Sequence, residues 1–475
     1  MKKVKTKILV TLGPATDSEE KLSELIDAGV DAFRLNFSHG DEEYFDRLFK
    51  TMGKVCEDKN VFIPIIQDLQ GPKIRIGNLS QNEIEIFSGD QILITTEDIR
   101  GTKEKVSTSY KLLVEDASVG DSILIDDGLL KLEVKEKKNE ALVCEIINGG
   151  ILKPHKGMNL PGMKLSTPAL TEKDIENLEF ALKYNVNYVA LSFVRHPEDI
   201  IELKEWLKKH NSIRPIIAKI EKPEAVDNFE GILKETDVVM VARGDLGVEL
   251  PAQLVPVIQK NIIRRCNAVG KPVITATQML ESMIQNPVPT RAEASDVANA
   301  VLDGTDVVML SGETSVGKYP IKAVKIMNEI LKTTEVNTQF SHKTKYDVPN
   351  SLMDNMFDST GNAFAQIADQ VAASLIVVFT HYGRKAKVVA KYRPNAPIIA
   401  FSDKPEIVTE LNFRRGISAY YLTDFSNEEV AVEKAMKFLK ENSFVQQNEL
   451  VIFTAGEPVN EYSRKAWIRS IYVSE

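Results

Sequence analysis

Cysteine and long apolar runs are what this 475-residue sequence has least of. Its three cysteines (Cys56, Cys144 and Cys266) stand far apart and form no Cys-x-x-Cys pair, so they give no signal for a disulfide framework or a cysteine metal site. No apolar run reaches the roughly 18 residues of a membrane-spanning helix. The apolar run after the basic start ends at Gly13, too early for a signal peptide. These absences predict a cytoplasmic protein without a membrane partner.

An excess of positive charge is also lacking. The 59 Lys and Arg residues are outnumbered by 68 Asp and Glu, and the net charge of -9 argues against a nucleic-acid partner. Anionic substrates are not excluded, because a local cluster of cations overrides a distant net charge once salt screens it. A hydrophobic content of 43% is typical of a globular protein, and the length predicts about three domains.

The pattern of strands and helices divides the chain into three regions. Alternating strand and helix segments in residues 1–70 and 168–338 predict βαβ units, and their eight strands predict a closed (β/α)₈ barrel. Short alternating segments with turn signals predict an all-β lid domain inserted at residues 71–167. A polar linker at about residues 336–349 leads into a predicted C-terminal α/β domain, residues 339–475.

Five of the predicted strands end in charged or hydroxyl residues. A parallel barrel brings the C-terminal ends of all its strands to one face, where such folds carry out chemistry. We therefore expect these side chains to converge on one pocket although they are far apart in sequence. They are Arg34, Asn36, Ser38, Asp68, Lys219, Glu221, Asp245 and Thr277.

Lys219 and Glu221 are two residues apart in a strand, so both point to the same side. With Asp245 at the next strand end, Glu221 forms a two-carboxylate site suited to Mg²⁺. A structural ion pair at the barrel rim is the alternative. Gly244 and Gly247 flank Asp245 and let the backbone approach a ligand, although an ordinary βα turn has the same pattern.

The cluster of cations and carboxylates fits phosphoryl transfer. Arg34 and Arg75 can clamp phosphate groups, although a lone arginine is more often a surface salt-bridge partner. Phosphoryl transfer asks the protein to position two substrates and to neutralise charge, which Lys219 and a metal would do. No Ser-His-Asp or Cys-His arrangement and no Walker-type loop is recognisable, and His39 is predicted to be structural or ligand-positioning.

Eight sequence motifs resemble those of the pyruvate kinase family, in the family's order and across nearly the whole chain. They are residues 11–15, 33–40, 71–77, 156–161, 217–221, 240–247, 276–280 and 309–314. The resemblance implies transfer of a phosphoryl group from phosphoenolpyruvate to ADP, giving pyruvate and ATP in the final step of glycolysis. It also implies Mg²⁺ or Mn²⁺ as cofactor and an allosteric homotetramer.

The resemblance further implies a role for each matching residue. Lys219 and Arg34 act on the transferring phosphoryl group, and Thr277 lies near the proton path to the enolate carbon. Glu221 and Asp245 bind the divalent metal. The substrate carboxylate is held by the Thr277 hydroxyl and by the backbone of Ala242, Arg243, Gly244 and Asp245. The nucleotide is bound by Arg75, Lys156 and His39, under a lid that closes and excludes water.

Two positions depart from the family's K⁺ site. Many members bind K⁺ with residues matching Asn36, Ser38, Asp68 and a following Thr, and they carry a Glu in the Gly-Pro-x-Ile-Arg motif. Here Leu69 replaces that Thr and Lys73 replaces that Glu. Because a lysine ammonium is a compact point charge, we predict that Lys73 occupies the monovalent-cation site. Activity would then need no K⁺, as in a potassium-independent bacterial type.

The effector loop departs as well. Residues 380–385 read Thr-His-Tyr-Gly-Arg-Lys, where the family often has Thr-x-Ser-Gly-Arg-Ser/Thr to cradle an effector phosphate. Thr380, Arg384 and Lys385 are therefore predicted to bind a phosphorylated effector, with a loop that binds no ligand as the alternative. The last strands, around residues 454–458, also look atypical.

Two other functions remain as alternatives to a kinase. A barrel lyase or aldolase acting with Mg²⁺ on pyruvate-like acids would share the carboxylate pair, but it would not need the lid, Arg75 or Lys156. A degenerate paralogue used as a binding or regulatory subunit is disfavoured because the functional residues are intact, namely Lys219, Glu221, Asp245 and Thr277. Strict dependence of pyruvate formation on ADP separates the kinase from both.

Overall fold

The computed structural model describes residues 4–337, 346–348, 351–423, 427–455 and 467–473. The chain begins with three strands and two helices that alternate. They are β1 (Lys7–Thr11), α1 (Glu19–Asp27), β2 (Ala32–Asn36), α2 (Glu42–Asp58) and β3 (Ile65–Asp68). Ser18 caps α1 and Asp41 caps α2, each accepting a hydrogen bond from a backbone N–H of the first turn.

A β-rich lid follows β3. Its elements are β4 (Ile84–Ile86), β5 (Gln91–Thr95), β6 (Lys105–Ser107), α3 (Leu113–Asp116), β7 (Ser122–Ile125), β8 (Leu130–Lys138), β9 (Ala141–Asn148), β10 (Gly150–Leu152) and β11 (Met158–Asn159). Six strands form one sheet in the order β11-β7-β8-β9-β5-β6, and β4 pairs with β10. The inward residues, such as Ile92, Leu132 and Cys144, make a core separate from that of the barrel.

The chain then returns to alternating strands and helices. The strands are β12 (Tyr188–Leu191), β13 (Ile216–Ile220), β14 (Val238–Ala242), β15 (Val273–Ala276) and β16 (Val307–Leu310). The helices are α4 (Glu172–Ala181), α5 (Pro197–Lys209), α6 (Pro223–Asp227), α7 (Phe229–Glu235), α8 (Arg243–Glu249), α9 (Val255–Val269), α10 (Arg291–Asp303), α11 (Gly312–Ser315) and α12 (Pro320–Asn337). Thr171 caps α4 in a capping box, in which its hydroxyl accepts a hydrogen bond from the Asp174 backbone N–H.

Eight parallel strands close into a barrel in the order β1-β16-β15-β14-β13-β12-β3-β2. The predicted (β/α)₈ barrel with an inserted β lid is therefore confirmed. Almost every strand residue is buried, because a barrel strand has side chains inside and helices outside. The helical region that follows β13 is divided into two helices. The helix breaks at Asn228, and α6 and α7 are separate.

The C-terminal part is a five-stranded α/β domain. Its elements are α13 (Leu352–Gln370), β17 (Leu375–Phe379), α14 (Arg384–Lys391), β18 (Ile398–Ser402), α15 (Pro405–Asn412), β19 (Ile417–Tyr421), α16 (Glu428–Glu441), β20 (Leu450–Ala455) and β21 (Trp467–Tyr472). The sheet order is β19-β18-β17-β20-β21, with β21 antiparallel at the edge. Phe413 of this domain packs into the barrel interior cluster beside Tyr188, with ring centroids 5.0 Å apart.

No helix within the described ranges is both long and apolar enough to span a membrane. Most of the predicted linker (residues 338–345 and 349–350) lies outside the described residues, and α12 extends into its first two positions.

Candidate active site at the C-terminal ends of the barrel strands

A buried chain of charges crosses the ends of β2, β3 and β13. Arg34 Nε donates to Asp68 Oδ2 over 2.7 Å, and Lys219 Nζ lies 3.3 Å from Asp68 Oδ1. Arg34 also donates to Thr11 Oγ1 at the end of β1. Burial raises the pKa of Asp68, but Arg34 and Lys219 outweigh burial and hold that pKa below its ordinary value. Asp68 is therefore ionised and fixes both cations, so the predicted convergence of these strand ends is observed.

Lys219 is the cation with the most partners in this pocket. Its Nζ donates to Ser192 Oγ over 2.7 Å and lies 2.9 Å from Glu221 Oε1. Burial lowers the pKa of Lys219, but Asp68 and Glu221 outweigh burial and raise the pKa above its ordinary value. The ammonium therefore stays charged at neutral pH. This protonation state suits a fixed positive charge rather than a proton donor.

Glu221 and Asp245 are the carboxylates that could hold a metal. Glu221 Oε2 accepts a hydrogen bond from the Phe193 backbone N–H over 2.8 Å. Burial raises the pKa of Glu221, and the Asp245 charge adds to the effect while Lys219 opposes it. A carboxylate in this state gains from a nearby divalent cation.

The pair fits a hard divalent ion with few protein ligands. In the part of the chain that the structure describes, no group of three or more His, Cys, Asp and Glu side chains is arranged to hold a metal. Mg²⁺ and Mn²⁺ do not need such a group, because Mg²⁺ binds through one or two carboxylates and fills its other positions with water and substrate oxygens. The donor set of Glu221 and Asp245 is therefore chemically compatible with such an ion.

Thr277 is held in an unusual backbone conformation at the end of β15. Its φ is +66° and that of Gln278 is +54°, a left-handed region that costs a non-glycine residue about 1 kcal/mol or more. The Thr277 hydroxyl accepts a hydrogen bond from the Gly244 backbone N–H over 2.8 Å. Because β14 and β15 pair up to Ala242 and Ala276, this strained turn sits directly beside the start of α8. The predicted substrate residues of the two strands therefore lie together.

The Arg243 side chain does not serve the pocket. Its Nη1 donates to both carboxylate oxygens of Asp296, over 2.8 and 2.6 Å, and its Nη2 donates to the Thr277 carbonyl over 2.6 Å. These bonds tie the start of α8 to α10 and to the Thr277 turn. Only the backbone of Arg243 remains for a substrate, which is how the sequence prediction used it.

Arg75 and Lys156 stand together on the lid. Arg75 forms an isolated antiparallel bridge with Gly157, next to Lys156, so the two cations lie on neighbouring segments of the chain. Lys156 Nζ pairs with Asp126 over 2.8 Å, and both side chains are partly exposed. An exposed pair of this kind contributes little stability and is easily exchanged for an incoming phosphate.

His39 lies at the barrel rim facing the same cations. Burial lowers the pKa of His39, and three nearby cations lower it further: Lys73, Arg75 and Arg34. The imidazole is therefore largely neutral at neutral pH and adds no charge to this region. The effect of Arg75 on the pKa of His39 shows that the two side chains are close enough to interact electrostatically.

The residues matched to the K⁺ site differ in their surroundings. Asn36 Oδ1 accepts a hydrogen bond from the Ser38 backbone N–H over 3.1 Å. Leu69 is 1% exposed and packs in an apolar cluster, so its side chain offers no oxygen to a cation. Burial lowers the pKa of Lys73, and the neighbouring Arg75 and Lys219 lower it further, whereas Asp68 and Asp245 act in the opposite direction. Lys73 shares the field of these carboxylates, although within the described ranges its ammonium is in no direct ion pair.

Lys222, Glu249 and Asn159 form a polar link that the sequence analysis missed. Lys222 Nζ lies 2.5 Å from Glu249 Oε1, and the two side chains are 9% and 1% exposed. Asn159 Nδ2, on lid strand β11, donates to the same Glu249 oxygen over 3.2 Å. The link therefore joins the lid to α8 and to the residue after Glu221. The one sequence signal for this link is that Lys222 directly follows the motif formed by Lys219 and Glu221.

The three predicted effector residues have different environments. The Thr380 hydroxyl is buried and accepts from the Gly383 backbone N–H over 2.9 Å, which shapes the loop. Lys385 Nζ points inward and donates to Thr360 Oγ1 over 2.9 Å, and burial lowers its pKa to about 8. Arg384 has a 62% exposed side chain that pairs with Asp354. Residues 456–458 of the segment noted as atypical lie outside the described residues.

A closed barrel that brings fixed cations and a carboxylate pair together at its strand ends, beside cations on an inserted lid, is the arrangement expected of a phosphoryl-transfer enzyme. Comparisons with known proteins narrow this class. Residues 3–324 match the barrel domain of pyruvate kinase and residues 358–466 match its alpha/beta domain. The chain belongs to the pyruvate kinase family.

Relatives and a solved structure agree with this assignment. A pyruvate kinase of Clostridium perfringens is 43% identical over 96% of this chain and 97% of its own length. A pyruvate kinase of Geobacillus stearothermophilus is 43% identical over 97% of this chain and 78% of its own length. The crystal structure of a pyruvate kinase from Cryptosporidium parvum matches with a TM-score of 0.91 at 37% identity, covering 98% of this chain and 96% of that one.

The chain is therefore a phosphotransferase that moves the phosphoryl group of phosphoenolpyruvate to ADP, and its family uses a divalent metal. The lyase, aldolase and degenerate-subunit alternatives receive no support from these relatives.

Proposed function

We propose that the chain performs this reaction as a potassium-independent enzyme of bacterial type, with Lys73 replacing the monovalent cation. The observation that carries the proposal is that two residues of the family's K⁺ site, at positions 69 and 73, are both replaced. Leu69 buries an apolar side chain where the K⁺ ligand would be needed, and Lys73 brings a positive charge into the field of Asp68 and Asp245. A K⁺ ion beside that ammonium would be repelled rather than bound.

Lys219, Arg34 and Thr277 are the proposed catalytic residues. Asp68 holds Lys219 and Arg34 in fixed positions, so both can stabilise the charge of the transferring phosphoryl oxygens without reorganising. Thr277 presents its hydroxyl beside Gly244, where it would help a proton reach the enolate carbon. Glu221 and Asp245 would hold Mg²⁺ or Mn²⁺, which supplies positive charge to substrate oxygens when bound.

Substrates are proposed to enter from two sides of the pocket. The backbone of Ala242, Arg243, Gly244 and Asp245 and the Thr277 hydroxyl would bind the phosphoenolpyruvate carboxylate. Arg75, Lys156 and His39 would face ADP from the lid and the rim. Closure of the lid would exclude water and protect the donor from hydrolysis.

The assembly is proposed to be a homotetramer of three-domain subunits, with boundaries after residues 70, 167 and 338. The antiparallel strand β21 supports this, because it lies at a sheet edge and exposes Ile468 by 52% and Tyr472 by 62%. Exposed edge strands are usually covered in native proteins. A cytoplasmic location is proposed because all three cysteines are free thiols.

An effector site at the 380–385 loop is proposed to depend on Arg384. Thr380 and Lys385 are buried and bonded within the domain, whereas Arg384 is mostly exposed. Equilibrium binding of sugar phosphates and AMP should therefore be stronger in the wild type than in Arg384→Ala. Identical weak binding by both proteins would show that the loop takes no phosphorylated ligand.

The catalytic assignment is tested by Lys219→Met, assayed as ADP-dependent release of pyruvate from phosphoenolpyruvate with Mg²⁺. Removing a fixed cation from the transition state should lower kcat by about 10²–10³-fold. Ser192→Ala is the matched control, because it removes one partner of Lys219 but keeps the ammonium. A kcat of Lys219→Met within tenfold of the wild type would refute the assignment, and pyruvate release without ADP would refute the kinase reaction.

A further inference from the structure

A cavity lies between the floor of the barrel and the C-terminal domain, at the end of the barrel opposite the active site. On the barrel side it is lined by residues that precede β15 and β16, including Gly270, Lys271 and Asp306. On the other side it is lined by the end of α14 and the segment before β19. The centre of a water molecule can occupy about 30 Å³ of this interdomain cavity. That is room for roughly two waters at about 10–15 Å³ each, or for one small ion.

The lining of the interdomain cavity is strongly basic. Its cations are Lys271, Lys387, Lys391, Arg393, Arg414 and Arg415, and Asp306 is the carboxylate among the lining residues. Some of these charges have partners within the protein. Lys391 pairs with Asp358 over 2.8 Å, and Lys271 donates to carbonyl groups at the end of α7.

Two arginines keep buried donors that no described residue accepts. Arg393 Nη2 donates to Asp306 Oδ1 over 2.7 Å, but the Arg393 Nη1 group is buried and has no hydrogen-bond partner within the described ranges. Arg414 Nη1 lies 3.3 Å from the Gly270 carbonyl, whereas its Nε is likewise buried and without an acceptor in the described part of the chain. The Arg393 backbone has a φ of +49°, in the left-handed region that costs a non-glycine residue about 1 kcal/mol or more, and its side chain lines the cavity.

Two more of the lining cations have carboxylate partners: Lys387 Nζ lies 2.5 Å from Glu410 Oε1, and Arg415 Nη2 lies 3.8 Å from Glu335 Oε1. Burial lowers the pKa of Lys387, and the neighbouring Arg414 lowers it further, although Glu410 opposes both. Burial also lowers the pKa of Arg415 to about 10, with Arg393 adding to the effect and Glu335 opposing it. Buried cations with lowered pKa values and orphaned N–H donors are stabilised by an anion.

We propose that the interdomain cavity binds a small tetrahedral oxyanion, either inorganic phosphate or the phosphoryl group of a small phosphate monoester. Guanidinium groups favour such oxygens because their N–H donors match the oxyanion geometry. The unpaired N–H donors of Arg393 and Arg414 would bind one ion from the side of the cavity that the C-terminal domain forms. The size of the cavity excludes the body of a nucleotide. The bound ion would join the barrel floor to the C-terminal domain and stabilise their contact.

The test uses the full chain with saturating phosphoenolpyruvate and Mg²⁺ but no ADP, so that the active site is already filled. Sodium phosphate is titrated against sodium chloride of equal ionic strength, and binding is followed by calorimetry and by the thermal unfolding midpoint. Phosphate should bind the wild type and raise its unfolding midpoint, because a ligand of the folded state shifts the unfolding equilibrium. Arg414→Gln should weaken the affinity at least tenfold.

Arg47→Gln is the matched control, since it removes an exposed arginine of α2 that lines neither the interdomain cavity nor the effector loop. Its phosphate affinity should equal that of the wild type. If Arg414→Gln does not fold, Arg393→Lys, which removes the orphaned Nη1 donor but keeps the charge, should show the same loss. Glycerol 3-phosphate is titrated in the same way. If it binds more tightly than inorganic phosphate, the occupant is a phosphate monoester; if inorganic phosphate binds more tightly, the occupant is the free ion. No binding by the wild type, or equal binding by Arg414→Gln, would overturn the proposal.

Discussion

The link between the lid and α8 allows one prediction to be worked out in detail. Glu249 Oε1 is bonded to Lys222 Nζ, 2.5 Å away in a buried ion pair, and to Asn159 Nδ2, 3.2 Å away on the lid. Asn159→Ala removes the lid contact and keeps the ion pair. A hydrogen bond to a charged group contributes about 1.5–3 kcal/mol, and the long distance favours the lower value. Since about 1.4 kcal/mol is a factor of ten, KM for ADP should rise roughly tenfold.

Glu249→Gln should act mainly on stability. It leaves the Lys222 ammonium, whose side chain is 9% exposed, without its charged partner. Breaking such a buried pair costs about 3–5 kcal/mol. The double variant Lys222→Met with Glu249→Leu removes both charges and should recover most of this stability. It should not recover the lid contact, so its KM for ADP should stay high.

The assay is steady-state pyruvate release at varied ADP, together with urea unfolding followed by probes in the barrel. The two variants should change the free energy of unfolding and KM for ADP independently. Asn159→Ala should change KM alone, and the double variant should restore stability alone. A wild-type KM in Asn159→Ala would show that the lid contact has no part in nucleotide binding. A double variant with a wild-type KM would contradict the role given to Glu249.

Two further predictions concern single lysines. Lys73→Glu should make turnover dependent on K⁺, because a carboxylate in place of the ammonium recruits a monovalent cation. Lys73→Gln is the uncharged control. Equal activity of Lys73→Glu with and without K⁺ would contradict this prediction. Lys385 has its pKa lowered by burial from 10.5 to about 8, so the unfolded chain binds more protons than the folded chain between these values. Its contribution to stability should therefore rise with pH from about 8 to 10.5. Urea unfolding of the C-terminal domain should show this rise relative to Lys385→Met, and parallel pH profiles would count against it.

Strand periodicity and the polar residues at strand ends were enough to predict the barrel and the position of its site. Asp68, Lys219 and Glu221 meet because parallel strands place their ends together, a consequence of topology rather than of side-chain detail. The edge strand β21 (Trp467–Tyr472) was missed, because its alternation is weak and it depends on pairing with β20.

Specific side-chain directions could not be predicted. Nothing in the local sequence shows that the Arg243 guanidinium turns away from the pocket to Asp296, or that Lys385 points inward to Thr360. Both contacts join residues 25 or more positions apart, and they depend on how helices pack. The left-handed φ of Thr277 also has no sequence signature, since threonine rarely adopts it.

The most direct test of the central claim is wild-type turnover in sodium buffer free of K⁺, with phosphoenolpyruvate, ADP and Mg²⁺. The account predicts full ADP-dependent pyruvate release there and no significant gain when K⁺ is added, because Lys73 already supplies the charge. Activity that collapses without K⁺ and returns when K⁺ is added would contradict the account.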